Sequence, residues 1–385
     1  MKKLSVFLVL MAFAASLMAQ DVRHRLDSVF TASPLAQTAQ IGLLVWDLTA
    51  DQPMFNYQAQ QLLRPASTMK VLTAVAALDQ LGVDYTFSTS LYYRGTVSNR
   101  TLQGDLYVVG GMDPMFDADD MEAFVANVRR LGIDTIRGRI VSDLSVKDTL
   151  RYGEGWCWDD DNPVLTPLRI GRRLDFAEQF AAALQRGGAV LVNVSTAKGR
   201  LPGGSAFVCA RTHTIDQVML EMMKESNNLY AESMFYQTAI RSGQRPATAK
   251  EARKLERGVM SRAGLLPQNY RIADGSGLSL YNYLSAEALT MLLRYAWFDN
   301  RIYSHLLPTL PVAGQDGTLK KRMTGTPAES NVQAKTGTLT GITSLAGYLT
   351  ASDGHRLCFA VIVQGVMRAA EGRELIDRLC VELCR

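Results

Sequence analysis

Histidine is scarce in this chain, four in 385 residues, and no H-x-x-x-H or C-x-x-C pair occurs. Neither a zinc site nor any other cofactor is therefore expected. Cysteine is equally sparse. Cys157, Cys209, Cys358, Cys380 and Cys384 form an odd set, which leaves at least one thiol unpaired even in an oxidising compartment. Cys380 and Cys384, four apart on a predicted helix, are badly placed to bond each other, and most of the five read as small core residues. No single sign of charge dominates: 41 Lys and Arg face 37 Asp and Glu, a net +4 that drops near +2 without Lys2 and Lys3. That is no footprint for nucleic acid or an anionic membrane. Past the first 19 residues no apolar run approaches the roughly 18 residues a spanning helix needs. What is present is ordinary globular material, 47% hydrophobic and 20% charged with 30 Gly and 12 Pro. Collagen-like, coiled-coil and disordered chains are excluded, and the length suffices for one large core or two ordinary ones.

The first 19 residues, MKKLSVFLVLMAFAASLMA, place two lysines before about a dozen apolar residues and end on small ones. This is the layout of a secretory signal peptide. No cysteine follows it, so lipoprotein processing is not indicated. The expectation is export across the inner membrane to the periplasm or the outside face of the envelope, with no integral membrane segment once the signal is removed.

Along the mature chain, QIGLLVWDLTADQPMFNYQAQ predicts two strands around a polar turn. Arg64-Pro65-Ala66-Ser67 breaks the second, and Thr68 to Leu81 forms an apolar helix that stops at Gly82. From Tyr85 to about Ser205 the texture shifts to short strands, turns and small helices, read as an inserted α+β domain. It includes the aromatic and acidic loop Gly155-Trp156-Cys157-Trp158-Asp159-Asp160-Asp161. Helices follow, then the strands VQAKTGTL, TSLAGYLTAS and RLCFAVIVQG, then a terminal helix. Residues 20–84 and 206–385 would form one discontinuous α+β domain, an antiparallel sheet flanked by helices.

Three short motifs occur in order: Ser67-Thr68-Met69-Lys70, Ser226-Asn227-Asn228 and Lys335-Thr336-Gly337. S-x-x-K opening a helix sets a hydroxyl and an amine one turn apart on one face. The amine can take the hydroxyl proton only if neutral, and burial or a second cation such as Lys335 pushes a lysine that way. Alone the motif is weak, since roughly one chance match is expected in a chain of this size. Ser195-Thr196-Ala197-Lys198 is such a match, but it follows a strand and runs into Gly199, so its side chains diverge. Gly337 permits close backbone approach, and Lys335 with the Thr336 and Thr338 hydroxyls suits a carboxylate. Together and in this order the three motifs are those of serine acyl-transfer enzymes of the penicillin-binding and class A β-lactamase group.

The sequence also resembles the penicillin-binding protein 4 type of D-alanyl-D-alanine carboxypeptidase/endopeptidase, a low-molecular-mass class C penicillin-binding protein. The likeness rests on Arg64 to Lys70, on Gly104-Asp105-Leu106 with Gly110 to Pro114, on Asp274-Gly275-Ser276-Gly277-Leu278-Ser279 and on Gly314 to Leu319. It implies a β-lactamase-like five-stranded antiparallel sheet with an inserted second domain. A short interval between the Trp-Asp-Asp loop and Ser226 suggests that the family's third domain is absent, and Leu280 stands where many relatives carry arginine.

By that resemblance Ser67 attacks the carbonyl between two D-alanines, with Lys70 as base. Ser226 relays a proton to the departing amine, and Asn228 bonds the substrate amide and steadies Lys70. Lys335, Thr336 and Thr338 hold the terminal carboxylate, and the N–H groups of Ser67 and Thr338 form an oxyanion hole. Asp160 grips the free amine of diaminopimelate. Peptidoglycan stem peptides are the implied substrates and β-lactams the covalent inhibitors. Two alternatives stand beside this: a non-catalytic peptidoglycan-binding relative, and a serine β-lactamase. The latter lacks support because no E-x-x-L-N stretch lies between Asn228 and Lys335.

Overall fold

The computed structural model describes residues 22–160 and 162–385. The segment read as a signal peptide lies outside the described residues, as does Asp161. Among the described residues no helix is long and apolar enough to cross a membrane.

In chain order come β1 (Gln40–Asp47), β2 (Gln52–Tyr57) and helix α1 (Met69–Leu81). The excursion that follows contains β3 (Thr86–Ser98), β4 (Thr101–Val109), α2 (Ala118–Arg130), β5 (Thr135–Arg137), β6 (Arg139–Asp143), α3 (Phe176–Arg186), β7 (Val190–Leu191), β8 (Ser195–Lys198) and β9 (Ala206–Thr214). The chain then returns through α4 (Ile215–Lys224), α5 (Asn228–Arg241), α6 (Ala249–Arg262) and α7 (Ala286–Phe298). It ends with β10 (Gln333–Leu339), β11 (Ile342–Thr350), β12 (Arg356–Gln364) and α8 (Ala369–Leu383).

Five strands pair in the order β10-β11-β12-β1-β2, every pairing antiparallel. This is the sheet the sequence pattern called for. The run Leu357 to Val363 is apolar without alternation because both faces are covered. Leu357, Phe359, Val361 and Val363 join the core under α8 and the N-terminal helical residues 22–31. Cys358, Ala360 and Ile362 join the core built with α1, α4 and α7. Helix α1 lies deepest, buried on all sides from Met69 to Leu78. Its alanines Ala74, Ala76 and Ala77 let neighbouring helices approach closely, which is why a helix carrying Lys70 can sit there at all.

The second sheet runs β7-β5-β4-β3-β9, with β6 and β8 adding parallel strands beside β4, and α2 and α3 pack on it. The boundary at residue 205 needs moving. Strand β9 pairs antiparallel with β3 from Thr86↔Thr214 to Tyr93↔Ala206, so residues 206–214 belong to the second sheet. The stretch AFVCARTHT is half-exposed and mixed in polarity, and its partner lies more than a hundred residues away. No local pattern announces such a pairing. The strand AVLVNVS likewise divides into β7 and β8. All five cysteines are free, three of them buried.

Candidate active site

Ser67 sits in a single 3-10 turn, Ala66–Thr68, that leads into α1. Ala66 holds a left-handed φ of 50°, an uncommon conformation for a non-glycine residue that costs of the order of 1 kcal/mol. The turn is pinned at Pro65, whose carbonyl oxygen accepts from Thr68 Oγ1 and Ser344 Oγ, both at 2.6 Å. Strand β10 lies against it. A Cβ on Gly337 would overlap Ser344 Oγ and fall 2.8 Å from Pro65 O and 3.0 Å from Ser67 N. Glycine is therefore what brings the β10 edge beside the Ser67 N–H.

Lys70 is fully buried, and its Nζ makes three contacts: Ser67 Oγ at 3.0 Å, Asn228 Oδ1 at 2.7 Å and the Ser276 carbonyl oxygen at 2.7 Å. Two of these partners can only accept. A neutral amine has two N–H bonds and one lone pair, so Asn228 and Ser276 consume both hydrogens and the lone pair is left facing the Ser67 hydroxyl. Burial lowers the Lys70 pKa to about 7, against the upward pull of Asp274 and Glu232. The second cation acts elsewhere than expected. Lys335 is pushed well below the usual lysine range by its own burial and then by Lys70.

Ser226 lies between α4 and α5 with φ 60°, and its Oγ accepts from Lys335 Nζ at 2.8 Å. Asn227 caps α5 by accepting from the Leu229 N–H at 3.1 Å, which sets Asn228 on the first turn. Lys335 Nζ also donates to the Thr336 carbonyl oxygen at 2.9 Å. It has no exposed surface, a departure from the expected direct grip on a carboxylate. What β10 turns outward is Thr338, which is exposed, and the half-buried Thr336, whose Oγ1 donates to Thr318 Oγ1 at 2.7 Å. The motifs thus converge: Ser67, Lys70 and Asn228 form one cluster, and Ser226 and Lys335 a second beside the Thr336–Thr338 edge.

The segment Asp274–Ser279 supplies the Lys70 anchor. Asp274 accepts from Gly277 N, Ser279 N, Asn282 Nδ2 and Trp156 Nε1, at 2.7 to 2.8 Å. A Cβ on Gly277, whose φ is 80°, would collide with the Ala66 carbonyl oxygen. Beneath lie residues that motif reasoning did not single out. Glu232 Oε1 accepts from Gly275 N at 3.1 Å and Ser276 N at 2.8 Å, which turns the Ser276 carbonyl toward Lys70. Burial, aided by the Asp274 charge, raises the Glu232 pKa to about 8. Thr73 Oγ1 donates its one proton to Gly275 O at 2.7 Å. At the 3.1 Å contact between Thr73 Oγ1 and Glu256 Oε1 the proton must then come from Glu256. That fits an acid whose pKa burial drives well upward. The available signal was a glutamate inside an otherwise apolar helical stretch, LYAESMF.

Asp160 is exposed, in the loop that carries Trp156. That loop docks on the same segment through the Trp156 bond to Asp274. A Cβ at Gly155 would meet Ser279 Oγ and the Tyr281 ring, and Glu154 pairs with Arg253 and Arg271 at 3.0 and 3.1 Å. Leu280 is partly exposed, and its carbonyl oxygen accepts from Arg64 Nε at 2.9 Å.

The sequence profile of the D-Ala-D-Ala carboxypeptidase 3 (S13) family matches residues 22–169 and 171–383. The chain belongs to this family. Among S13 and related proteins, D-alanyl-D-alanine carboxypeptidase DacB of Haemophilus influenzae is 25% identical over 415 residues, 86% of each chain. The D-alanyl-D-alanine carboxypeptidase of Actinomadura sp. (strain R39) is 28% identical over 449 residues, 90% of this chain and 81% of that one. The crystal structure of penicillin binding protein 4 from H. influenzae shares the fold, with a TM-score of 0.83 at 23% identity over 94% of this chain and 99% of that one. The same protein in complex with a β-lactam gives 0.79 at 24% identity, with the same coverage. The S13 assignment is the family that the motifs pointed to.

Proposed function

We propose that this S13 protein is a serine-type D-alanyl-D-alanine carboxypeptidase and/or endopeptidase that hydrolyses peptidoglycan stem peptides or cross-links through an ester on Ser67. The observation that carries the reading is the Lys70 contact set, which leaves a lone pair for the Ser67 proton. Ser67 Oγ bonds to the carbonyl carbon while its proton passes to Lys70 Nζ. The peptide C–N bond then breaks, and the departing amine takes a proton through Ser226, which Lys335 holds in place. Water hydrolyses the ester and restores Ser67. The developing oxyanion sits at the Ser67 and Thr338 N–H groups, an arrangement worth about 3–4 kcal/mol per donor. The incoming carboxylate meets the hydroxyls of Thr336 and Thr338, with Gly337 between them and the buried Lys335 amine behind.

The leader pattern supports export, and a periplasmic location follows for a peptidoglycan hydrolase. The test is mass analysis of muropeptides before and after incubation with wild type and Ser67→Ala. Release of D-alanine or cleavage of D-alanyl cross-bridges by wild type alone is expected; neither by wild type defeats the proposal. A β-lactam is expected to acylate Ser67 and leave slowly. The carboxyl groups that act on Lys70, those of Asp274 and Glu232, are both buried and committed to backbone or side-chain donors. Rapid multiple turnover of penicillin, dependent on Ser67, would favour a β-lactamase instead.

A further inference from the structure

A cavity of about 830 Å³ opens in the second sheet, away from the motif residues. Strands β4, β6 and β8 run parallel, and residues following β6 and β8 line the opening. Crevices at the carboxyl ends of parallel strands are where open sheets of this kind take ligands. The floor is apolar, with Leu165, Leu168 and Phe176 buried in it. The rim carries three exposed cations, Arg151, Lys198 and Arg200.

The balance of charge decides what fits. The acids of the cavity are engaged: Asp143 accepts from Ser145 N and Leu201 N at 2.9 and 2.7 Å, Asp148 from Lys147 Nζ at 2.7 Å, and Glu178 from Thr196 Oγ1 at 2.7 Å. The cations are not. Arg151 and Lys198 have no side-chain partner among the described residues, and Arg200 reaches Ser145 Oγ only at 3.5 Å. Lys198 is the lysine of the S-x-x-K match that does no chemistry. The cavity is also tied to the site already described. Leu165 N donates to the Arg151 carbonyl oxygen at 2.8 Å, which closes residues 151–165 into a loop. Both ends of that loop, Arg151 and Leu165, line the cavity, and Trp156 within it donates to Asp274.

We propose that this cavity is a second peptide-binding site. It takes a carboxylate-bearing stem peptide of peptidoglycan, its methyl groups on the apolar floor and its carboxylates on Arg151, Lys198 and Arg200, while another stem occupies the Ser67 site. The proposal rests on the hydrolase reading above and adds a site for a second stem peptide.

The experiment uses the mature protein with Ser67 acylated by penicillin, so that the first site is filled. Binding of a fluorescent disaccharide-tripeptide is measured on this form and on the triple variant Arg151→Glu, Lys198→Glu, Arg200→Glu. The acylated wild type is expected to bind, with affinity that falls as salt rises. The triple variant, and the wild type with an amidated peptide, are expected to bind at least about tenfold more weakly. Unchanged penicillin labelling of the triple variant reports an intact fold and Ser67 site. No binding to the acylated wild type, or equal binding by the triple variant, overturns the second site. Failure of penicillin to label wild type counts against the hydrolase reading instead, and the binding comparison is then read on unlabelled protein by the same criterion.

Discussion

The Trp156 indole N–H donates to Asp274 Oδ2 at 2.7 Å, a bond from the acidic loop to the segment that anchors Lys70. Asp274 is completely enclosed, and each of its four donors keeps the 274–279 turn shaped so that Ser276 O faces the amine. Trp156→Phe removes one donor and keeps most of the packing. The expected outcome is a loss of about 1–2 kcal/mol in stability with a several-fold slower acylation by labelled penicillin. An unchanged acylation rate would uncouple the loop from Lys70.

Lys70 sets the pH dependence. Its pKa of about 7 in the folded protein means that the neutral, proton-accepting form grows as pH rises through 7. Acylation of Ser67 is expected to rise with pH, half-maximal near 7, and to level off above. Lys70→Ala should cut the acylation rate by about 10²–10⁴-fold, with circular dichroism showing the fold retained. A pH-independent rate in wild type argues against Lys70 as base.

Asp160 is exposed and its carboxylate is free of protein partners among the described residues. Asp160→Ala is expected to raise KM for diaminopimelate-containing stems several-fold while penicillin labelling stays near wild type, since penicillin lacks that amine. Equal loss of both activities removes Asp160 from substrate recognition.

Gly337→Ala pushes a methyl into Ser344 Oγ, Pro65 O and Ser67 N. Backbone must move to admit it, at a cost of about 1–3 kcal/mol. Separating β10 from the nucleophile turn also opens the oxyanion pocket. A lower melting temperature together with acylation reduced by at least about tenfold is expected. Wild-type labelling kinetics would mean that the two backbones need not touch.

Much of this protein is local information. The apolar helix after Ser67, the strands KTGTL and RLCFAVIVQG and the stop at Gly82 follow from periodicity and punctuation, because a helix or a doubly buried strand needs only its own side chains to be recognised. The motif residues were legible for the same reason, since S-x-x-K encodes its geometry in one turn of helix. Long-range decisions were not legible. That β9 crosses back to β3, that Lys335 is sealed behind Ser226, and that Glu232 orients the Ser276 carbonyl depend on which surfaces meet after the chain has returned from its excursion. The pKa of Lys70 is of the same kind. The lowering at that amine comes from complete burial among the helices around it, and burial is a property of the packed whole rather than of any seven residues.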